Sequence, residues 1–293
     1  PKNGEMTTRK QVEEYQDKIR IFMALRDGNT NLINDYKDST SIDLSGCKSL
    51  KNVDGLAKCT KLTKLDLSNC ESLENVDGLE SCTNLTELDL SKSGIQNVDG
   101  LANCIKLTNL NLYYCESLQN VDKLANCSNL TNLNLDFCSS LQNVDGLTKY
   151  TKLTNLILSY NNSLQNVDGL AKCTNLTNLD LSCCNSLQNI DGLENCTNLT
   201  ELDLSMCGIQ NVDLIANCTK LTKLDLRLCG SLENVDGLAN CTNLTSLNLE
   251  SCDDLQNING LANCTKLTNL NLSSCYSLQN VDGLANCTNL ISL

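Results

Sequence analysis

The sequence predicts an α/β solenoid, a stack of short coils that each add one strand to a single parallel sheet. Three observations predict it. From about Ser39 onward a unit of 22 or 23 residues recurs eleven times, and self-similarity at such a period marks a stacked architecture. Each unit carries eight apolar or cysteine positions, more than one short unit can bury without a neighbour on top of it. Two of these positions alternate, as in Leu65-x-Leu67, which is the period of a strand with one buried face.

Numbering the unit from Leu62, LTKLDLSNCESLENVDGLESCTN, places Leu, Ile or Val at positions 1, 4, 6, 12, 15 and 18. Further units begin at Leu85, Leu107, Leu130, Leu153, Leu176, Leu199, Leu221, Leu244 and Leu267, and a degenerate first unit begins near Ser39. Two domains follow: residues 1–38 as a helical N-terminal cap, and 39–293 as eleven repeats plus the start of a twelfth. Adjacent strands about 4.8 Å apart would stack eleven coils over roughly 50 Å.

This pattern resembles the leucine-rich repeat family, LxxLxLxx(N/C)xL, over residues 39–293. It is most similar to the 22-residue internalin-like repeat of bacterial proteins, as in SGIQNVDGLANC of the unit from Leu85. The resemblance implies a right-handed coil with the parallel sheet on a concave face and short 3-10 or turn segments on the convex face. Gly stands where those repeats often carry Pro, and Cys replaces the usual Asn at position 9. The extra residue of the 23-residue units should bulge the turn after the strand.

Twenty cysteines would suit a disulfide or zinc protein, but their register argues otherwise. Nine occupy position 9 and ten position 21, with only Cys183 out of register, while Ser93, Tyr150 and Asn161 replace cysteine in the two columns. Buried reduced cysteine acts as a small hydrophobe and weak donor. Stacked thiols with parallel Cβ vectors are poorly placed for bridging, and there is no CxxC pair. No metal and no cofactor are expected, and so many free thiols favour a reducing compartment, cytoplasmic or a host cytosol.

The chain contains no His, the commonest general base, and neither a GxxxxGK[ST] nor a GxGxxG loop, which points away from an enzyme. Its net charge is −13. The seven bases and seven acids of residues 1–38 cancel, so the excess lies in the repeats. Such a surface does not suit nucleic acid, and no apolar run is long enough for membrane insertion.

In the cap, Thr8-Arg9-Lys10-Gln11 fits a capping box, and Val12, Tyr15, Ile19 and Phe22 follow helical spacing. The helix should end at Asp27-Gly28, with a second over Leu32 to Tyr36. At the other end, a stack closing at Asn289 would leave Leu267, Leu270 and Leu272 near solvent. That predicts further coils or a C-terminal domain in the native gene product. The Asn of position 14 and the Asp of position 16 read as turn formers. The NCT and NLT triplets, as at Asn195 and Asn243, recur because the repeat does.

Positions 3, 5 and 7 of each strand should face solvent. They hold ten acids against three bases, a net of −7. Position 8 runs Gly46, Asn69, Lys92, Tyr114, Phe137, Tyr160, Cys183, Met206, Leu228, Ser251, Ser274, so six apolar or aromatic residues stand between polar ends. With Tyr113 and Ile157 beside them, they have the character of a binding hot spot. The candidate partner-binding residues are Tyr113, Tyr114, Phe137, Tyr160, Ile157, Asp136, Met206, Arg227 and Leu228. The expected function is a non-catalytic scaffold for a partner protein with a basic surface, in a bacterial virulence or host-interaction setting. Two alternatives stand: the targeting part of a larger effector enzyme, and a carbohydrate-binding surface.

Overall fold

The computed structural model describes residues 9–292. Eleven strands of three residues each, from Ser41–Asp43 to Asn269–Asn271, form one sheet in chain order. All pairs are parallel and join like positions, as Leu65 to Leu88 and Leu156 to Leu179. Each coil then turns through a 3-10 segment, the first at Asp54–Lys58 and the last at Asp282–Leu284. Coils are counted here from Ser39, so coil 2 starts at Leu62 and coil 6 at Leu153. In the 23-residue coils the added residue closes a turn, with Leu73 N donating to Cys70 O at 2.9 Å.

The repeated apolar positions fill one continuous core. Polar columns tie coil to coil around it. Each position-2 threonine hydroxyl donates to the threonine carbonyl one coil back, as Thr131 Oγ1 does to Thr108 O at 3.2 Å. Position 14 is a turn former: all eleven Asn side chains, from Asn52 to Asn280, accept the amide two residues on. In most coils glycine occupies the 3-10 turn because the turns press together. A Cβ on Gly169 would lie 2.0 Å from Val144 O, although Lys123 and Leu214 occupy this place in coils 4 and 8.

Cysteine side chains form two internal ladders, and every cysteine is free. Position-9 thiols donate to the position-6 carbonyl of the preceding coil, as Cys138 to Leu112 O at 3.2 Å. Position-21 thiols reach the position-18 carbonyl in the same way, as Cys127 to Leu101 O at 3.2 Å. Burial pushes the Cys104 thiol up to about 12, so it keeps the proton it donates. The three replacements preserve the donor, with Ser93 Oγ donating to Leu90 O of its own coil at 2.6 Å. Tyr150 Oη donates to Leu124 O, and Asn161 Nδ2 to Leu135 O at 2.9 Å. The ladders therefore select for a buried donor, a finer requirement than small size.

The N-terminal helix α1, Arg9–Arg26, lies over the open end of coil 1. Thr8 of the expected capping box lies outside the described residues. The helix ends as expected: Gly28 has φ +64°, and Asn29 N to Ala24 O and Gly28 N to Leu25 O form the paired bonds of a Schellman cap. A short helix α2, Thr30–Ile33, and a 3-10 turn, Asn34–Tyr36, replace the single helix expected over Leu32 to Tyr36. The buried face also differs from expectation. Ile21, Ala24 and Leu25 pack into the core, while Val12, Tyr15 and Ile19 face solvent. The helix carries apolar residues on two sides, and the side with Ala24 can approach the coil more closely. Lys18 fastens it to coil 1 through Asp43 at 3.0 Å and Ser45 at 2.8 Å.

At the far end Leu267 and Leu270 are buried, contrary to expectation, and Leu272 is half-buried. The start of a twelfth turn covers them: Leu270 N donates to Ser292 O, and Ile291 N to Thr268 O.

Candidate interaction surface

The chain leaves each strand through position 8, and there all eleven coils place the backbone in the left-handed region. Gly46 has φ +70°, and the ten other residues, Asn69 to Ser274, lie between +55° and +61°. Glycine and asparagine accept this conformation readily; bulky side chains resist it. Coils 4, 5, 6, 8 and 9 nonetheless carry Tyr114, Phe137, Tyr160, Met206 and Leu228 there.

The left-handed turn projects these side chains along one rim of the sheet. Tyr114, Tyr160, Met206 and Leu228 are exposed, whereas Cys183 is buried. Phe137 and Tyr160 stack at 4.2 Å, Tyr114 lies 5.6 Å from Phe137, and Tyr113 meets Phe137 edge-on at 6.0 Å. Cys183 Sγ points to Met206 Sδ at 3.4 Å. The Cys183 thiol beside the Tyr160 hydroxyl raises the Tyr160 pKa. The structure thus brings the sequence-selected aromatics into one ladder, continued through Cys183 to Met206 and Leu228.

Position 5 is a structural position that the sequence analysis counted as available surface. In ten coils its Asp or Asn accepts the amide two residues on and closes the end of the strand, as Asp203 does from Ser205 N at 2.8 Å. Six of the ten sheet-face acids are engaged in this way. The exception is Ile157, half-buried in coil 6 beside the ladder, which cannot make the bond. Coil 6 departs from the pattern again at Asn161: its Oδ1 is buried with no partner. The repetition of Asx residues in ten of eleven units was the signal that could have separated structural from available positions.

Asp180, Asp203 and Asp225 are register partners on adjacent strands. With Ile157 they line a groove of about 510 Å³ on the sheet face. Burial, with the neighbouring Asp225 and Asp180 carboxylates, raises the Asp203 carboxyl above its ordinary value. Burial and Asp180 do the same to Asp136, against the opposing Ser159 hydroxyl bond at 2.8 Å. Arg227 is exposed next to Leu228 and lies 3.7 Å from Asp225. Among the described residues no group of His, Cys, Asp and Glu is arranged to hold a metal ion, and no helix is long and apolar enough to cross a membrane. The triplet side chains of Asn195 and Asn243 donate to Ala171 O and Thr219 O of the preceding coil.

Residues 41–165 match the BspA type leucine-rich repeat region model in six copies, and residues 151–195 and 197–240 match the leucine-rich repeats model in two. The chain belongs to the leucine-rich repeat family. No curated protein matches this leucine-rich repeat chain in sequence. Among solved structures it is similar to an internalin, InlF, from Listeria monocytogenes: TM-score 0.62 and 22% identity, covering 94% of this chain and 93% of that one. The functional domain of InlJ from the same organism, which includes a cysteine ladder, aligns at TM-score 0.62 and 25% identity over 86% of this chain and 57% of that one. The plant peptide hormone receptor RGFR1 aligns at 0.59 and 18% over 86% and 50%. The internalin likeness supports the internalin-like repeat, and the family is one of protein-interaction scaffolds.

Proposed function

We propose that this leucine-rich repeat protein captures a partner protein across the concave sheet face and the aromatic rim of coils 4 to 9. The observation that carries the reading is the set of bulky side chains held at positive φ: Tyr114, Phe137, Tyr160, Met206 and Leu228. Glycine or asparagine would satisfy the fold there at lower conformational cost, so the fold does not account for these side chains. Residues kept in an unfavourable conformation are candidates for function. Tyr113 and Ile157 widen the patch, and Asp136 and Arg227 border it. Exposed aromatics amid polar surroundings suit an interface anchor, and the surrounding acids suit a partner with a basic surface. The RGFR1 structure, itself a complex with RGF2, offers a precedent for ligand capture on this architecture.

The test is a pull-down read by mass spectrometry with the wild-type chain and the Tyr114→Ala/Tyr160→Ala variant. The expected result is loss of the partner with an unchanged circular dichroism spectrum. Undiminished capture by the folded double variant would overturn the reading.

A further inference from the structure

Two of the chain's own cations, Lys92 and Arg227, flank the aromatic rim; the Arg227 charge reaches the Tyr160 hydroxyl, but neither cation pairs with the acids at the middle. At one end the Lys92 ammonium sits over the Tyr113 ring, 5.7 Å from its centroid. At the other, Arg227 lies against Asp225 at 3.7 Å. Between them the Phe137 and Tyr160 rings stack in coils 5 and 6; the Asp136 carboxylate lies near the Tyr160 hydroxyl, Asp180 lies near Asp136, and Asp203 follows Asp180 along the sheet. Among the described residues no Lys or Arg is within ion-pair distance of these three carboxylates. The remaining sheet-face bases are committed elsewhere, Lys64 to Glu87 and Lys223 to Glu201, both at 2.7 Å.

A stacked aromatic pair presents electron-rich faces and edges, and a cation near both a ring and a carboxylate is favoured by both. Lys92 over Tyr113 shows the ring half of that chemistry at the end of the same ladder. The convex face also carries a column of exposed acids, including Asp122, Asp145 and Asp168 at the starts of 3-10 turns, but no aromatic rim accompanies it. The two acidic columns therefore form an internal comparison.

We propose that the occupant of the rim is a peptide segment that brings an arginine or lysine to the middle of the ladder, its cation held between the Phe137/Tyr160 stack and the carboxylates of Asp136, Asp180 and Asp203. This rests on the rim being the partner surface and adds which chemistry it selects. The cation would complete a series that Lys92 and Arg227 begin at either end. Its charge would also offset the repulsion from Asp180 that adds to burial in raising the carboxyls of Asp136 and Asp203.

The test uses labelled nona-arginine, with nona-citrulline as its neutral counterpart, in fluorescence anisotropy at fixed salt. Two triple variants change net charge equally: Asp136→Asn/Asp180→Asn/Asp203→Asn at the rim, and Asp122→Asn/Asp145→Asn/Asp168→Asn on the convex turns. Asparagine retains the acceptor at position 5, as Asn111 and Asn134 do in coils 4 and 5, keeps an acceptor for the Ser159 hydroxyl at position 136, and already starts the convex turn at Asn259, so both should fold. The rim triple should weaken nona-arginine binding at least tenfold and the convex triple less than twofold. Tyr160→Ala should also weaken it several-fold, and nona-citrulline should not bind measurably. Equal losses in the two triples, or no loss with Tyr160→Ala, would overturn the proposal. If the rim triple still captures partner as wild type while Tyr114→Ala/Tyr160→Ala does not, the cation inference fails and the rim remains the partner surface.

Discussion

Phe137 and Tyr160 lie one coil apart with ring centroids 4.2 Å apart and planes within 8° of parallel, and both hold positive φ. The backbone conformation that each side chain disfavours is the one that aligns the two rings. Stacking returns about 0.5–1.5 kcal/mol to the pair, less than the left-handed cost of roughly 1–2 kcal/mol for each of its two residues. Stacking therefore offsets only part of that cost where rings have neighbours. Leu228, at its end, has no ring to stack on.

Leu228 is accordingly the position where stability and binding should separate. Leu228→Asn places a residue tolerant of the left-handed region on an exposed turn, as Asn69 already is in coil 2. The variant should be more stable by up to about 1 kcal/mol, read as a higher urea midpoint at unchanged slope, and should capture partner less well. A variant less stable than wild type would show that packing of Leu228 outweighs its backbone strain.

Much of the fold was legible because eleven copies average out local ambiguity. Leu65, Leu88 and Leu110 each repeat one burial decision, and their pairing follows from register. The N-terminal helix occurs once, so no other copy corrects the spacing of Val12, Tyr15, Ile19 and Phe22, and the face that packs is the one with Ile21, Ala24 and Leu25. The left-handed column was hidden because Met206 and Leu228 are poor indicators of positive φ; only Gly46 and Asn69 hinted at it. The donor requirement of the ladders was written in the exceptions. Ser93, Tyr150 and Asn161 differ in size, yet each carries a hydrogen-bond donor, and no Ala or Val appears among them.

Asn161 provides the direct test of the position-9 ladder. Its Nδ2 donates to Leu135 O and Leu158 O, but its Oδ1 is buried without a partner. A buried unsatisfied polar atom costs about 1–3 kcal/mol. Asn161→Cys would keep a donor beside Leu135 O, as Cys184 has beside Leu158 O at 3.2 Å, and remove the orphaned carbonyl. It should therefore stabilise the chain by about 1–3 kcal/mol in urea unfolding. A loss of stability would mean that Asn161 Oδ1 has a partner in solution or that the amide fills space a thiol leaves empty.

Asp203 should make stability depend on pH in the opposite sense to an ion-paired carboxylate. Burial, then Asp225 and Asp180, raises its folded pKa above the unfolded value, so the native state holds the proton more tightly than the unfolded chain. Stability is therefore highest below the unfolded value, about 4, and falls as pH rises through the window up to the folded value. Asp136, raised by burial and by Asp180, acts in the same direction. Asp43 acts oppositely: although burial works against it, the Ser45 hydroxyl and amide and the Lys18 ammonium hold its carboxyl below the ordinary value. Its contribution is present above the unfolded value and is lost as pH falls through the folded one. Thermal unfolding followed by circular dichroism should thus show the Asp203 and Asp136 contribution growing as pH falls through their folded values towards about 4, and the Asp43 contribution being lost below it. Asp203→Asn keeps the Ser205 amide bond but cannot ionise. It should unfold at higher temperature than wild type at pH 7 and converge with it below about pH 4. A difference that stays constant across this range would show that the carboxylate at Asp203 is not the source of the instability.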